Sequence, residues 1–489
     1  MTGDRVSTGV DGLDEILSGG LVPERSYLVR GEPGTGKTIL GVHFLADGVR
    51  NGETSLYVNL EECRADVEQN AASLGFDLDD VSFLDLSPTA DVFADDQSYS
   101  VMAASDVEQP SFVETVTGTV EDVDPDRVFV DPITHLRHLT PDAHQFRKQA
   151  IGFMEYLTDH GATVLFTSQS TASVSDEDLQ FLSDGTIDLG YGEMGHTVDV
   201  PKFRGSSVRE GHHAMEISGD GVTVYPALRP EEHAGEFAAD PLSSGVEELD
   251  YLLDGGIERG TVTVLSGPSG AGKTTVGTQF LREAATRGER SVTYLFEENA
   301  ATFRERSEAI GIPVSEMEDR DTLVVEEMEP LNLSPQQFAA RVRREVEDRG
   351  ATMVMIDGTR GYEVALQGRP EDLTRRLHAL CRYLKNVGVT VVLVDESSTL
   401  VGEFSATDSD TSYLADNIVL LRHIEYDSEL RKIVGVLKKR TSDFERTLRE
   451  LRITERGVEV GDPLTGLRGM LSGTPTWRAD DRPPSRETE

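Results

Sequence analysis

Cysteine, lysine and long apolar runs are what this 489-residue chain has least of. Two cysteines, Cys63 and Cys381, cannot build a disulfide framework, and no Cys/His cluster has zinc spacing, so a reducing cytoplasm fits. The longest clean apolar run, Val387 to Val394, is interrupted at Gly388 and Thr390 and ends at Asp395, far short of the ~20 residues that span a bilayer. No transmembrane helix is expected, and Met1-Thr-Gly-Asp lacks the basic-then-apolar opening of a secretory signal. Lysine occurs only at Lys37, Lys148, Lys202, Lys273, Lys385, Lys432, Lys438 and Lys439. Against 46 Lys+Arg stand 88 Asp+Glu, giving a formal net charge of −42. Such acid-rich, lysine-poor chains resemble those of halophilic organisms, where hydrated carboxylates keep the protein soluble and salt screens their repulsion. An acidic surface for a basic partner is the other reading. Either way, nucleic acid is disfavoured, because duplex binding depends on Lys and Arg neutralising phosphates.

What the chain does have is apolar periodicity, with 37% hydrophobic residues, and a long internal repeat. Ser7-x-Gly9-Val10-x-x-Leu13-Asp14 returns as Ser243-x-Gly245-Val246-x-x-Leu249-Asp250, and the same offset relates several later motifs. The repeat has the length of a whole domain, so it marks a tandem duplication rather than a solenoid. Residues 1–228 and 241–462 read as the two domains, 229–240 as a polar linker, and 463–489 as a disordered tail. Within each half, strand-like runs such as Ser26–Arg30 and Val262–Leu265 alternate with helical ones such as Lys37–Arg50 and Lys273–Arg287. That alternation predicts an α/β fold, a mainly parallel sheet with helices on both faces.

Two phosphate-binding loops are the strongest local signal. Gly31-Glu-Pro-Gly34-Thr35-Gly36-Lys37-Thr38 and Gly267-Pro-Ser269-Gly270-Ala271-Gly272-Lys273-Thr274 both satisfy G-x-x-x-x-G-K-[ST], each after a strand and before a helix. Glycines let backbone N–H groups curl round phosphate oxygens, the lysine reaches the β/γ-phosphates, and the threonine hydroxyl suits Mg²⁺. Asp131 and Asp357 each close a further apolar run, Arg127–Val130 and Met353–Ile356, which places them at the carboxyl edge of a parallel sheet as candidate Mg²⁺ partners. The doubled glutamates Glu61-Glu62 and Glu297-Glu298 follow the next strand in each half. There one carboxylate can orient and deprotonate a water attacking the γ-phosphorus.

Together the Ser-x-Gly-Val-x-x-Leu-Asp segments, the two loops, the paired glutamates and the tandem order resemble the KaiC family of RecA-superfamily ATPases, from Val6 to about Val460. The resemblance implies two tandem RecA-like P-loop domains that bind ATP and Mg²⁺, a homohexameric double ring, and signalling protein partners. It also implies that Lys202-x-Arg204 and Lys438-x-Arg440 act across a subunit boundary on a neighbour's γ-phosphate, although the second segment lacks the family's following glycine. Thr167-Ser168-Gln169 and Asp395-Glu396 fall where such ATPases sense the nucleotide. The family's second domain phosphorylates an adjacent Ser-Thr pair; Ser412-Tyr413 occupies that place, making Ser412 a candidate site with Thr407 nearby, while Tyr413 departs from the pattern. An ATPase is the leading expectation. A Ser/Thr autokinase, a nucleotide-gated scaffold with little turnover, and a recombinase-like DNA-dependent ATPase are the alternatives.

Overall fold

Runs such as Tyr27-Leu28-Val29 and Val128-Phe129-Val130 are too uniformly apolar for a strand with one wet face, and suit a parallel sheet covered on both. That is where they lie. Strands β1 (Ser26–Gly31), β2 (Ser55–Asn59), β3 (Ser82–Asp85), β4 (Arg127–Asp131), β5 (Thr163–Ser168) and β6 (Gly185–Gly192) pair parallel in the order β3-β2-β4-β5-β1-β6. Three antiparallel strands, β7 (Gly195–Phe203), β8 (His213–Ser218) and β9 (Gly221–Tyr225), then extend the sheet. Alternate residues of β1 serve different cores: Tyr27 and Val29 join Phe44 and Phe129 on one face, and Leu28 joins Phe146 and Leu157 on the other.

In this computed structural model the described residues are 5–86, 109–139, 142–169, 176–192, 195–230, 240–329, 333–366, 369–396, 413–426, 429–465, 467–468 and 476–477. The chain divides into two units, Met1–Ala227 and Leu228–Glu489. The second begins with a short antiparallel pair, β10 (Pro241–Leu242) and β11 (Ile257–Glu258). Its main sheet then repeats the first: β12 (Val262–Gly267), β13 (Ser291–Leu295), β14 (Leu323–Glu327), β15 (Met353–Asp357), β16 (Thr390–Glu396) and β17 (Asn417–Tyr426) are parallel, and β18 (Glu429–Lys439), β19 (Arg449–Thr454) and β20 (Gly457–Pro463) antiparallel, in the order β14-β13-β15-β16-β12-β17-β18-β19-β20. These are two nine-stranded, mainly parallel sheets flanked by helices, the architecture of tandem RecA-like domains. Two details go beyond the sequence reading. Leu228 packs on the second unit's core and Asn386 donates to the Pro230 carbonyl at 2.6 Å, so the start of the connector is part of that unit. In the segment read as a disordered tail, β21 (Leu467–Arg468) pairs antiparallel with β22 (Thr476–Trp477), setting Leu467 opposite the single tryptophan.

The repeated Ser-x-Gly-Val-x-x-Leu-Asp segment is a brace. Ser7 Oγ and Thr8 Oγ1 both donate to Asp14 at 2.7 Å, and Ser243 and Ser244 bond Asp250 in the same way at 2.6 and 2.7 Å. The brace holds Gly9 so close to the helix Lys37–Arg50 that a Cβ there would lie 2.4 Å from the His43 carbonyl oxygen. The His43 ring completes the junction: Nδ1 donates to Gly9 O at 3.2 Å and Nε2 accepts from Val222 N–H at 2.8 Å. Both nitrogens are thereby committed in the neutral ring, and burial pushes its pKa below the usual 6.5. Below about pH 6.5 the unfolded chain takes up a proton that the folded one resists, so this group's stabilisation is lost as pH falls, by at most about 1.4 kcal/mol per pH unit. Gln279 occupies the equivalent place in the second unit. His43→Gln is therefore expected to flatten the acid side of the stability curve relative to the parent, read as the difference between the two proteins' thermal melts from pH 7.5 to 5.5. Parallel curves would refute the assignment.

Candidate active sites

Each phosphate loop leaves the central strand of its sheet, at the point where strand order reverses and a crevice opens. Gly34 and Gly36 have φ of 83° and 91°, and Gly270 and Gly272 of 74° and 102°, left-handed conformations that turn successive N–H groups inward. Lys37 folds back over its loop, Nζ donating to Gly31 O at 2.9 Å and Glu32 O at 3.0 Å; Lys273 donates to Pro268 O at 2.9 Å. Both side chains are buried, which lowers the pKa of each ammonium. Thr35 Oγ1 closes the first loop onto Glu32 O at 2.8 Å, Ala271 is fully buried under the second, and Ser269 lines the second cleft.

The loop threonine meets the strand-end aspartate in both units: Thr38 Oγ1 donates to Asp131 Oδ2 at 2.6 Å, and Thr274 Oγ1 to Asp357 Oδ1 at 3.0 Å. Burial raises both carboxyls, that of Asp357 to about 7 with the help of Glu298's charge. The glutamate pairs stand across the same clefts, of about 330 Å³ in the first unit and 550 Å³ in the second. Gln169 Nε2 donates to Glu61 Oε2 at 2.7 Å, and Arg306 donates to Glu298 Oε1 at 2.7 Å. Burial, then Asp131, raises the Glu62 carboxyl, and burial, then Glu396, that of Glu297. Glycine cradle, lysine, hydroxyl and a single buried carboxylate fit a nucleotide carrying Mg²⁺, which takes one or two carboxylates and completes its shell with phosphate oxygens and water.

The family model described as "ATPase: KaiC" matches the chain twice, over residues 6–229 and 242–465. The chain belongs to the KaiC ATPase family. Among curated relatives, the "Circadian clock oscillator protein KaiC" of Picosynechococcus sp. is 27% identical, with 98% of this chain and 93% of the relative aligned. The protein of the same name from Synechococcus elongatus is 26% identical over 96% and 92%, and "Circadian clock oscillator protein KaiC 1" of Synechocystis sp. is 26% identical over 96% and 92%. The two halves are thus nucleotide-binding KaiC-type ATPase domains. No helix among the described residues is long and apolar enough to cross a membrane.

The Lys-x-Arg segments of these KaiC-type domains lie away from their own loops. Lys202 pairs with Thr186, which is level with Leu28, and Lys438 pairs with Ile418, level with Val264. Each is three residues short of the loop end of its strand, about 10 Å at 3.3 Å per residue. Lys202 is also occupied, donating to Gln180 O and Ser183 O at 2.6 Å and to Phe181 O at 3.3 Å, where it caps the helix Glu177–Leu182. Between Lys438 and Arg440, Lys439 is buried, donating to Leu253 O and pairing with Glu258 at 2.9 Å. Arg204 and Arg440 remain half-exposed, with loose contacts of 3.7 Å to Asp184 and 3.5 Å to Asp416. Lys202→Ala is expected to destabilise the first unit by about 1–2 kcal/mol through the uncapped carbonyls, whereas Arg204→Ala leaves thermal stability unchanged. Equal melting temperatures for the two variants would contradict this division. Ser412 and Thr407 lie outside the described residues.

Two residues that sequence reasoning passed over line the second cleft, Arg306 and Lys432. Lysine scarcity was the available signal for Lys432. Arg306 carried none, since it reaches Glu298 only because the helix Ala300–Ala309 turns back over the glutamate pair.

Proposed function

We propose that the chain hydrolyses ATP with Mg²⁺ at two sites and works as a homohexameric double ring, with Arg204 and Arg440 facing a neighbour's phosphates. The observation that carries this reading is the duplicated set of loop lysine, threonine–aspartate pair and glutamate pair around one cleft in each unit. In the first unit the loop N–H groups and Lys37 bind and orient the phosphates, and Thr38 and Asp131 hold the metal's position. Mg²⁺ bound there would neutralise charge on the phosphates. Glu61, held by Gln169, orients the attacking water and accepts its proton, with Glu62 beside it. In the second unit Lys273, Thr274, Asp357, Glu297 and Glu298 have the corresponding roles.

A cation across a subunit boundary makes turnover depend on assembly. Arg204 and Arg440 lie level with Ser26 and Val262, about 16 Å along the sheet from their own loops, which supports their acting in trans. Arg204→Ala with Arg440→Ala is therefore expected to keep the hexamer, seen by light scattering at high salt with ATP, and to lose about 10³-fold in turnover. A monomer that hydrolyses ATP at the parent rate would defeat the ring and its trans-acting arginines together. Mass spectrometry after incubation with ATP reads the alternatives: phosphate on Ser412 would make the second unit a Ser/Thr autokinase, and tight binding without phosphate release a nucleotide-gated scaffold.

A further inference from the structure

The two sites differ at one position where their backbones agree. β5 and β16 each flank the strand that feeds the loop, with Arg30 opposite Ser168 and Ser266 opposite Asp395. The next residue is Gln169 in the first unit and Glu396 in the second, side chains of equal length and different charge. Gln169 donates its amide N–H to Glu61 Oε2 at 2.7 Å, fixing one carboxylate oxygen and leaving the other for the cleft. Glu396 lines its cleft beside Lys273 and Glu297. As a carboxylate it has no proton to donate to Glu297, and it sets a second negative charge against both Glu297 and the incoming phosphates.

The second cleft also holds two extra cations, so the balance has to be argued. Arg306 is committed to Glu298 at 2.7 Å, the other member of the pair. Lys432 adds positive charge to the wall of the cleft, which strengthens phosphate binding in ground and transition states alike and so acts mainly on KM. Glu297 takes a backbone hydrogen bond from Gly361 N–H, so what the second cleft lacks is not a donor but a neutral side chain: Glu396 sets its charge beside that carboxylate.

We infer that Gln169 is a positioning residue for Glu61, and that Glu396 at the same place restrains hydrolysis in the second unit. The inference rests on the ATPase reading above. It is tested in the full chain with one site silenced at a time: Gln169→Glu in a Lys273→Ala background and Glu396→Gln in a Lys37→Ala background. Phosphate release is measured, and binding is followed separately with a fluorescent ATP analogue. Gln169→Glu is expected to lower first-site kcat about tenfold with KM within about threefold. Glu396→Gln is expected to raise second-site kcat about fivefold, a gain that misfolding cannot produce. Rates within about twofold of the backgrounds for both exchanges would overturn the inference while leaving the ATPase reading in place. A parent chain that binds the analogue and releases no phosphate at either site would remove both.

Discussion

Alanine at both Lys37 and Lys273 is expected to abolish ATP turnover, a fall of about 10³-fold or more in kcat/KM, with the fold retained. The ammonium groups are held by loop carbonyls, Gly31 O and Glu32 O in one unit and Pro268 O in the other, so alanine breaks no buried ion pair at those bonds. What is lost is the charge that phosphates meet first. The two single variants should differ. In a chain of net charge −42 the first cleft has no second lysine or arginine among its described lining residues, whereas Arg306 and Lys432 line the second. Lys37→Ala should therefore weaken binding of a fluorescent ATP analogue at its site more than Lys273→Ala does at its own. Molar salt should narrow the difference, because screening over about 3 Å acts on the exposed Arg306 far more than on the buried loop lysines. Phosphate release by the double variant within tenfold of the parent would count against the whole assignment.

How much of this was readable beforehand depends on the range of the interaction. The loops, the apolar runs closed by Asp131 and Asp357, and the doubled glutamates are local patterns, and each stands where its period and its glycines put it. The pairing of Thr38 with Asp131 joins residues far apart in sequence, yet the parallel α/β rule was enough to place both at one sheet edge. The antiparallel extension β7–β9 was not read, because Gly185–Gly192 and Gly195–Phe203 mix buried and exposed residues at a sheet margin rather than forming clean apolar runs. Sequence placed Lys202 as a trans-acting cation. In the folded chain its ammonium caps a helix three carbonyls deep, a contact set by how the helix Glu177–Leu182 turns into β6 and invisible to any motif.

The Ser-x-Gly-Val-x-x-Leu-Asp segment shows the converse. It identified the family without disclosing its own task, which is to brace the loop helix from behind. That helix sets the geometry of the site, and it is held against the sheet by one missing side chain in each unit. A Cβ at Gly41 would lie 2.1–2.3 Å from three atoms of the fully buried Phe129 ring; one at Gly277 would meet Met355 Sδ at 2.6 Å. The ring cannot yield, but a thioether on three rotatable bonds can. Gly41→Ala is accordingly expected to cost about 1–3 kcal/mol by overpacking and to lift the helix off β4, drawing Thr38 from its 2.6 Å contact with Asp131. A displacement near 1 Å lowers first-site kcat about 10²-fold, measured by phosphate release in a Lys273→Ala background. Gly277→Ala, in a Lys37→Ala background, should lose only a few-fold. Phe129→Leu supplies the check, since it removes the obstructing ring edge. Combined with Gly41→Ala it should recover most of the lost rate and stability, giving a coupling of about 1–2 kcal/mol in a double-mutant cycle. Equal losses at the two glycines, or additive effects of the Gly41 and Phe129 exchanges, would show that contact with the sheet does not hold the loop threonine in place.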